Sequence, residues 1–164
     1  MSKITHERLL EVLEYNQETG LFTWKTAISD KIKVGTRAGS KTQMNYIKIR
    51  VDNKYYRAHI LAWFYTHGEW PEKMLDHINN VGTDNRMINL RLATASENRA
   101  NSRMRKNNTS GIKGVYFDKS KGKWCARVRF EGKVTRKLFD DLEEAEAYVV
   151  TLREEMCGQF ARNQ

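Results

Sequence analysis

Leu75-Asp76-His77-Ile78-Asn79-Asn80, then Asp84-Asn85-Arg86-Met87-Ile88-Asn89-Leu90-Arg91, then Thr94-Ala95-Ser96-Glu97-Asn98 form a nearly continuous stretch in the middle of the chain. Each piece alone is ordinary. An Asp-His pair is common and usually solvated, Asp84-Asn85 makes a turn, and Asn98 alone would be an exposed helix residue. Together they put several separated polar identities in a fixed order.

That order resembles the HNH nuclease motif, in its variant with Asn at the last position, over Leu75 to Asn98 without a gap. The resemblance implies a strand, loop, strand and helix around one divalent metal. It assigns the metal to Asp76 and Asn98, the general base to His77, and the orientation of the intervening loop to Asn89. Asp84 and Asn85 are expected to shape the same loop. The residue types suit the chemistry. Phosphodiester hydrolysis needs an activated water and neutralisation of charge on the phosphate and leaving oxygen. A neutral imidazole, with a pKa near ~6.5, can take a proton from water. One carboxylate and one amide oxygen suit Mg²⁺ or Mn²⁺, hard cations that take few protein oxygens and keep water and phosphate. No small-molecule cofactor is expected.

Upstream, Thr5 can cap a helix carrying Leu9, Val12 and Leu13 at helical spacing. Asn16 to Gly20 is turn-rich, Leu21 to Trp24 reads as a strand, and Ser29 to Gln43 as a loop. Tyr46 to Val51 alternates, Asp52-Asn53-Lys54 turns the chain, and Tyr55 to Ala58 returns it as a hairpin. His59 to His67 is apolar at helical spacing and ends at Gly68 and Pro71. Tyr15 to Trp24 and Tyr55 to Trp63 resemble the segment that precedes the motif in phage HNH proteins. His59 reads first as a structural residue, with a role near the active site as the minority reading; His6 and His67 read as surface residues.

Downstream, Arg99 to Lys106 carries Arg99, Arg103, Arg105 and Lys106, no acidic residue and little apolar content. A domain boundary is expected here: a nuclease domain over 1–106, with motif 75–98 and basic linker 99–106, and a second domain over 107–164. In the second, Val115 to Phe117, Lys123 to Phe130 and Val134 to Phe139 read as strands, with Glu131-Gly132-Lys133 turning the last two. Asp141 with Glu144 resembles a capping box for a helix to about Met156.

Asn108-Thr109-Ser110-Gly111-Ile112-Lys113-Gly114-Val115-Tyr116, Lys123-Trp124-Cys125-Ala126, Phe139, Glu143-Glu144-Ala145 and Ala147-Tyr148 resemble the AP2 DNA-binding domain from Asn108 to about Asn163. The resemblance implies a three-stranded sheet in the DNA major groove with one helix behind it. Lys113 to Lys137 holds nine basic and two acidic residues. Arg127 and Arg129 alternate away from Trp124 and Val128, so they fall on the open face. There an Arg can hold guanine bidentately or a phosphate. Lys113, Tyr116, Thr135 and Lys137 are further candidates, the register of the last strand being open. Arg99, Arg103, Arg105 and Lys106 are expected to track phosphates, which position the protein without reading sequence.

The rest of the composition agrees. In 164 residues the formal net charge is +9, which favours a polyanionic partner, nucleic acid first and anionic membrane second. Neither a membrane-spanning run nor a signal peptide is expected. Cys125 and Cys157 make neither a disulfide framework nor a zinc pair, which suits a reducing cytoplasm, that of the host bacterium for a phage-encoded protein.

The expected fold class is therefore α+β: a ββα-metal nuclease domain plus a small sheet packed on one helix. The expected activity is metal-dependent, site-preferring cleavage of double-stranded DNA, of the phage homing type by resemblance. The alternatives are a DNA-binding regulator on an inactive nuclease fold, against which intact Asp76, His77, Asn89 and Asn98 argue, and an RNA-binding protein, for which no RNP-like aromatic pair speaks. A fragment ending near Asn107 would keep the whole motif and is expected to cut weakly.

Overall fold

The computed structural model describes residues 3–163. The chain divides into two compact units, one through Ala93 and one from Thr94 onward.

In the first unit, helix α1 (His6–Val12) starts where the Thr5 hydroxyl accepts from the Arg8 backbone N–H. Leu9 and Val12 are buried. Leu13, expected on the helix, instead opens strand β1 (Leu13–Asn16). Its alternation of buried Leu13 and Tyr15 with exposed Glu14 and Asn16 is a strand pattern too short to declare itself in sequence. β1 pairs antiparallel with β2 (Leu21–Trp24), where Phe22 and Trp24 are buried. Asn16 Oδ1 accepts from the N–H groups of Glu18 and Thr19 and so shapes the turn between them.

A second sheet has the order β3-β4-β5: β3 (Ser40–Lys41), β4 (Ile47–Val51) and β5 (Lys54–Arg57). Asp52 and Asn53, both with positive φ, make the two-residue turn that joins the last two. Ile49 and Val51 face inward, and Lys48 and Arg50 the other way. Helix α2 (Ala58–His67) follows at once, buries Leu61, Ala62 and Phe64, and stops on left-handed Gly68. These residues form one core with Leu9, Val12, Leu13, Phe22 and Trp24. Full burial of a Leu or Phe contributes roughly 1.5–3 kcal/mol. Strands β6 (Met74–His77) and β7 (Leu90–Ala93) pair antiparallel, with a 3₁₀ turn at Met87–Asn89 leading into β7.

The second unit opens with helix α3 (Ala95–Asn101). It is capped reciprocally, the Thr94 hydroxyl accepting from Glu97 N–H and the Glu97 carboxylate from Thr94 N–H. A sheet of order β10-β9-β8 follows, made of β8 (Val115–Asp118), β9 (Lys123–Phe130) and β10 (Lys133–Phe139). Helix α4 (Leu142–Cys157) starts where the Asp141 carboxylate accepts from the N–H groups of Glu143 and Glu144. Val115, Ala126 and Val128 from the sheet pack with Ala145 and Val149 of α4. Ala100 of α3 and Ile112 join that core. The sequence pattern puts the boundary at 106/107; in the structure α3 and the basic stretch after it pack within the second unit.

Candidate active site and the basic faces

The residues around His77 are held by a loop tied at both ends. Asn89 does most of the tying: its Oδ1 accepts from Asn79 N–H at 3.0 Å, and its Nδ2 donates to the Asp84 carbonyl at 2.8 Å. Ile78 N–H donates to the Asn89 carbonyl at 2.9 Å. Asn89 is thus a positioning residue that fixes the loop between β6 and β7. Within the loop, the Asp84 carboxylate accepts from Arg86 at 2.8 and 2.7 Å and from Asn79 Nδ2 at 2.6 Å. The Arg86 guanidinium, more than any other partner, holds Asp84 down to a pKa of about 2.

The loop delivers Asn85 to His77. His77 is buried, and its Nε2 lies 3.2 Å from Asn85 Oδ1. An amide oxygen only accepts, so this contact matches the tautomer with the proton on Nε2 and the basic lone pair on Nδ1. Burial lowers the His77 pKa; the Asn85 bond and the charges of Asp76 and Asp84 oppose that without overcoming it. The imidazole is therefore neutral at physiological pH, as a proton acceptor must be.

The rest of the unit buttresses this loop. Buried Tyr15 on β1 donates from its hydroxyl to the Asn85 carbonyl at 2.6 Å. Gly20 ends the β1–β2 turn with φ +71, and a Cβ there would fall 2.5 Å from Arg86 N, so only glycine lets the turn approach. Tyr46, just before β4, lies against two imidazoles, with ring centroids 5.8 Å from His77 and 5.4 Å from His59. His59 meets His77 edge to face at 4.9 Å. His59 Nδ1 is a buried polar atom without a hydrogen-bond partner among the described residues. Burial, with His77 and Arg57 nearby, pushes the His59 pKa down to about 3, so it too is neutral.

Asp76 is buried and pairs across the β6–β7 ladder with Arg91, whose Nε lies 3.0 Å from its Oδ2. Asn98 is half-buried on α3, in the second unit. Among the described residues no group of three or more His, Cys, Asp or Glu side chains could hold a metal. The donors at the motif positions are oxygens, which fits a hard cation that keeps much of its water.

In the second unit, Glu131 and Gly132 both have positive φ and form a two-residue hairpin turn, one residue shorter than expected. The register follows: Phe130 opposes Lys133, and Arg127 opposes Arg136. Arg127, Arg129, Arg136 and Tyr116 therefore share the face away from α4, all exposed. Sequence reasoning missed Arg136, which counting back from a two-residue turn would have found.

Three candidates fall elsewhere, the first being Thr135, which opposes Val128 on the helix side. Lys137 opposes Ala126 on the helix side, its ammonium 5.1 and 5.3 Å from the rings of Phe139 and Tyr148. Lys113 turns inward, its Nζ donating to the carbonyls of Ala100, Ser102 and Arg162 at 2.6, 2.6 and 3.1 Å, and burial lowers its pKa to about 8. Lys113 therefore holds the end of α3 and the C-terminal stretch together. Arg99, Arg103 and Arg105 line, with Tyr116, Arg127 and Arg129, a cavity of ≈ 520 Å³. Lys106 is exposed beside it in sequence. Cys125 and Cys157 are buried free thiols.

A β-strand pair thus closes on a loop that presents a buried histidine. The HNH endonuclease family model matches residues 56–100. Protein 3.8 of Escherichia phage T7 is 38% identical over 107 residues, which is 65% of this chain and 88% of that protein. The chain belongs to the family of that phage protein and carries an HNH endonuclease domain. No solved structure matches it. HNH nucleases generally use divalent metal ions, and a nuclease domain implies DNA as substrate. Among the described residues no helix is long and apolar enough to cross a membrane.

Proposed function

We propose that this protein is a metal-dependent endonuclease that hydrolyses phosphodiester bonds of double-stranded DNA at preferred sites, as a phage homing enzyme would. The observation that carries the reading is His77: buried, neutral, and oriented through Nε2 by Asn85 in a loop braced by Asn89. His77 takes a proton from water onto Nδ1. The hydroxide attacks phosphorus, and the bond to the leaving oxygen breaks. Asn89 and Asn85 hold the imidazole in the reactive tautomer. A divalent cation, which the motif assigns to Asp76 and Asn98, would neutralise charge on the phosphate and leaving oxygen when bound.

The AP2-like assignment of residues 107–164 supplies the reader. Arg127 and Arg129, with Tyr116, stand on an open sheet face, and Arg99, Arg103, Arg105 and Lys106 contribute phosphate contacts. Supercoiled plasmid tests the whole reading. Nicking or linearisation with Mg²⁺ or Mn²⁺, abolished by EDTA, is the expected result. Tight binding without cleavage under any divalent ion would instead make the protein a DNA-binding regulator.

A further inference from the structure

The outer face of the β3–β5 sheet carries cations that the activity described above does not use. Side chains alternate along β4, so Lys48 and Arg50 stand on the side opposite buried Ile49 and Val51. The register places Arg57 opposite Lys48 and Tyr55 opposite Arg50. Lys48, Arg50 and Arg57 thus share one face with exposed Tyr55.

Among the described residues, none of these three cations is matched by a carboxylate. Lys48 Nζ lies 4.6 Å from the centroid of the Tyr55 ring, and the Arg50 guanidinium 5.8 Å from it. Arg50 also donates to Asn53 Oδ1 at 3.0 Å. The Arg57 guanidinium lies 5.0 Å over the Tyr46 ring. Asp52 does border this face, but its carboxylate is taken at 3.0 and 3.1 Å by Arg8. Aromatic rings order these side chains while leaving their charge uncompensated. The face is thus predominantly cationic, with the bordering Asp52 engaged by Arg8.

The face is also concave. One hollow of ≈ 580 Å³ is lined by Lys31, Lys48, Arg50 and Tyr55, and another of ≈ 460 Å³ by Lys41, Tyr46, Lys48 and Arg57. Lys48 borders both. Tyr46, whose ring centroid lies 5.8 Å from that of His77, is among the residues lining the second.

We infer that the outer face of β3–β5 is a second DNA surface, in which Lys48, Arg50 and Arg57 hold the phosphate backbone of the duplex as it runs toward His77. The inference rests on the nuclease reading for the identity of the polyanion. Phosphate contacts position a duplex without reading its sequence. The first unit therefore carries its own sequence-independent grip, separate from the arginines of the second.

The test measures binding of the full chain to a duplex oligonucleotide in EDTA across a salt series. Removing one phosphate-binding cation lowers the slope of log K against log salt by about 0.9. Lys48→Ala with Arg50→Ala is expected to lower it by about 1.8, and the exchange Lys48→Arg with Arg50→Lys to keep it. Independently of any variant, Lys48 of the unaltered protein is expected to be protected from acetylation by bound duplex. An unchanged slope in a folded double variant overturns the proposal. If that variant does not fold, equal acetylation of Lys48 with and without DNA overturns it instead. Loss of binding to phosphatidylserine–phosphatidylcholine vesicles with the DNA slope intact would also overturn it, by making the face a membrane surface. Failure of the wild-type chain to bind duplex at all would be a different result, since it removes the nuclease reading itself.

Discussion

The loop around His77 and the open sheet face around Arg127 use polar residues in opposite ways. In the first, side chains are spent on one another: Asn89 on backbone, Asn85 on His77, Asp84 on Arg86. In the second, Arg127, Arg129 and Arg136 are exposed, without a carboxylate partner among the described residues. Proton transfer needs a heavy atom held to within a few tenths of an ångström, whereas phosphate binding needs charge that can adapt. The contrast predicts that damage to the first region abolishes turnover and spares affinity, while damage to the second does the reverse.

The largest expected effect blurs that division. Truncation after Asn107 keeps every motif residue but removes what α3 packs on: the core that Ala100 joins, and the Lys113 ammonium that takes the Ala100 and Ser102 carbonyls. A seven-residue helix does not persist alone in water. We expect the fragment to lose cleavage altogether, not merely weaken, and amide exchange across Thr94–Asn101 to become unprotected. Protected amides with residual cutting would restore the weaker expectation drawn from sequence. Next in size, His77→Ala should slow single-turnover cleavage by roughly 10²–10⁴-fold with DNA affinity unchanged; near-normal cleavage would remove His77 as the base. Asn85→Ala removes the amide oxygen that faces buried Nε2 of His77, a loss of about 1–3 kcal/mol. Cleavage should fall by roughly 5- to 150-fold, and Asn85→Asp, which keeps the acceptor, should recover part of it.

These magnitudes bear on what the sequence could show. The motif singled out Asp76, His77 and Asn89 as an expectation, because hydrolytic chemistry would constrain both type and spacing. It did not show which loop residue meets His77, since Asp84 and Asn85 are equally good turn formers and only the folded loop separates their roles. Tyr15 and Tyr46 were invisible as site residues: each reads as an aromatic in a strand-like segment, and their contacts to Asn85 and His77 bridge 70 residues in the one case and lie across two elements in the other. Lys113 looked like a surface cation because no pattern reports that three carbonyls converge on it. The basic, turn-rich stretch reads as a linker in sequence, whereas in the structure α3 before it packs forward along the chain.

His59 separates the two regions by acid. Its folded pKa of about 3 lies below the unfolded value of ~6.5. Between these values the unfolded chain binds the extra proton, so stability is full above about pH 6.5 and falls as pH drops through that range. From pH 7 to pH 5 the loss from this residue is about 2 kcal/mol. His77, also lowered, adds in the same direction. Urea melts at the two pH values should show the acid sensitivity in the wild type and less of it in His59→Phe. Equal sensitivity in both would mean that His59 is protonated in the folded protein.

The smallest expected effect tests the hairpin register. Glu131-Gly132 is a two-residue turn, so Arg136 stands opposite Arg127 on the open face and Lys137 on the helix side. Like charges facing each other across a ladder repel, which disfavours the pair in the absence of a ligand. A polyanion relieves that repulsion, so the arrangement suits a phosphate or a guanine edge between the two guanidinium groups. Arg136→Ala is therefore expected to lower the salt slope of DNA binding by about 0.9 and leave turnover of bound DNA unchanged. Lys137→Ala, whose ammonium lies over Phe139 and Tyr148, should change the slope less and the stability of the second unit more. If Lys137→Ala lowered the slope and Arg136→Ala did not, the DNA-contacting face would be the one read from a three-residue turn.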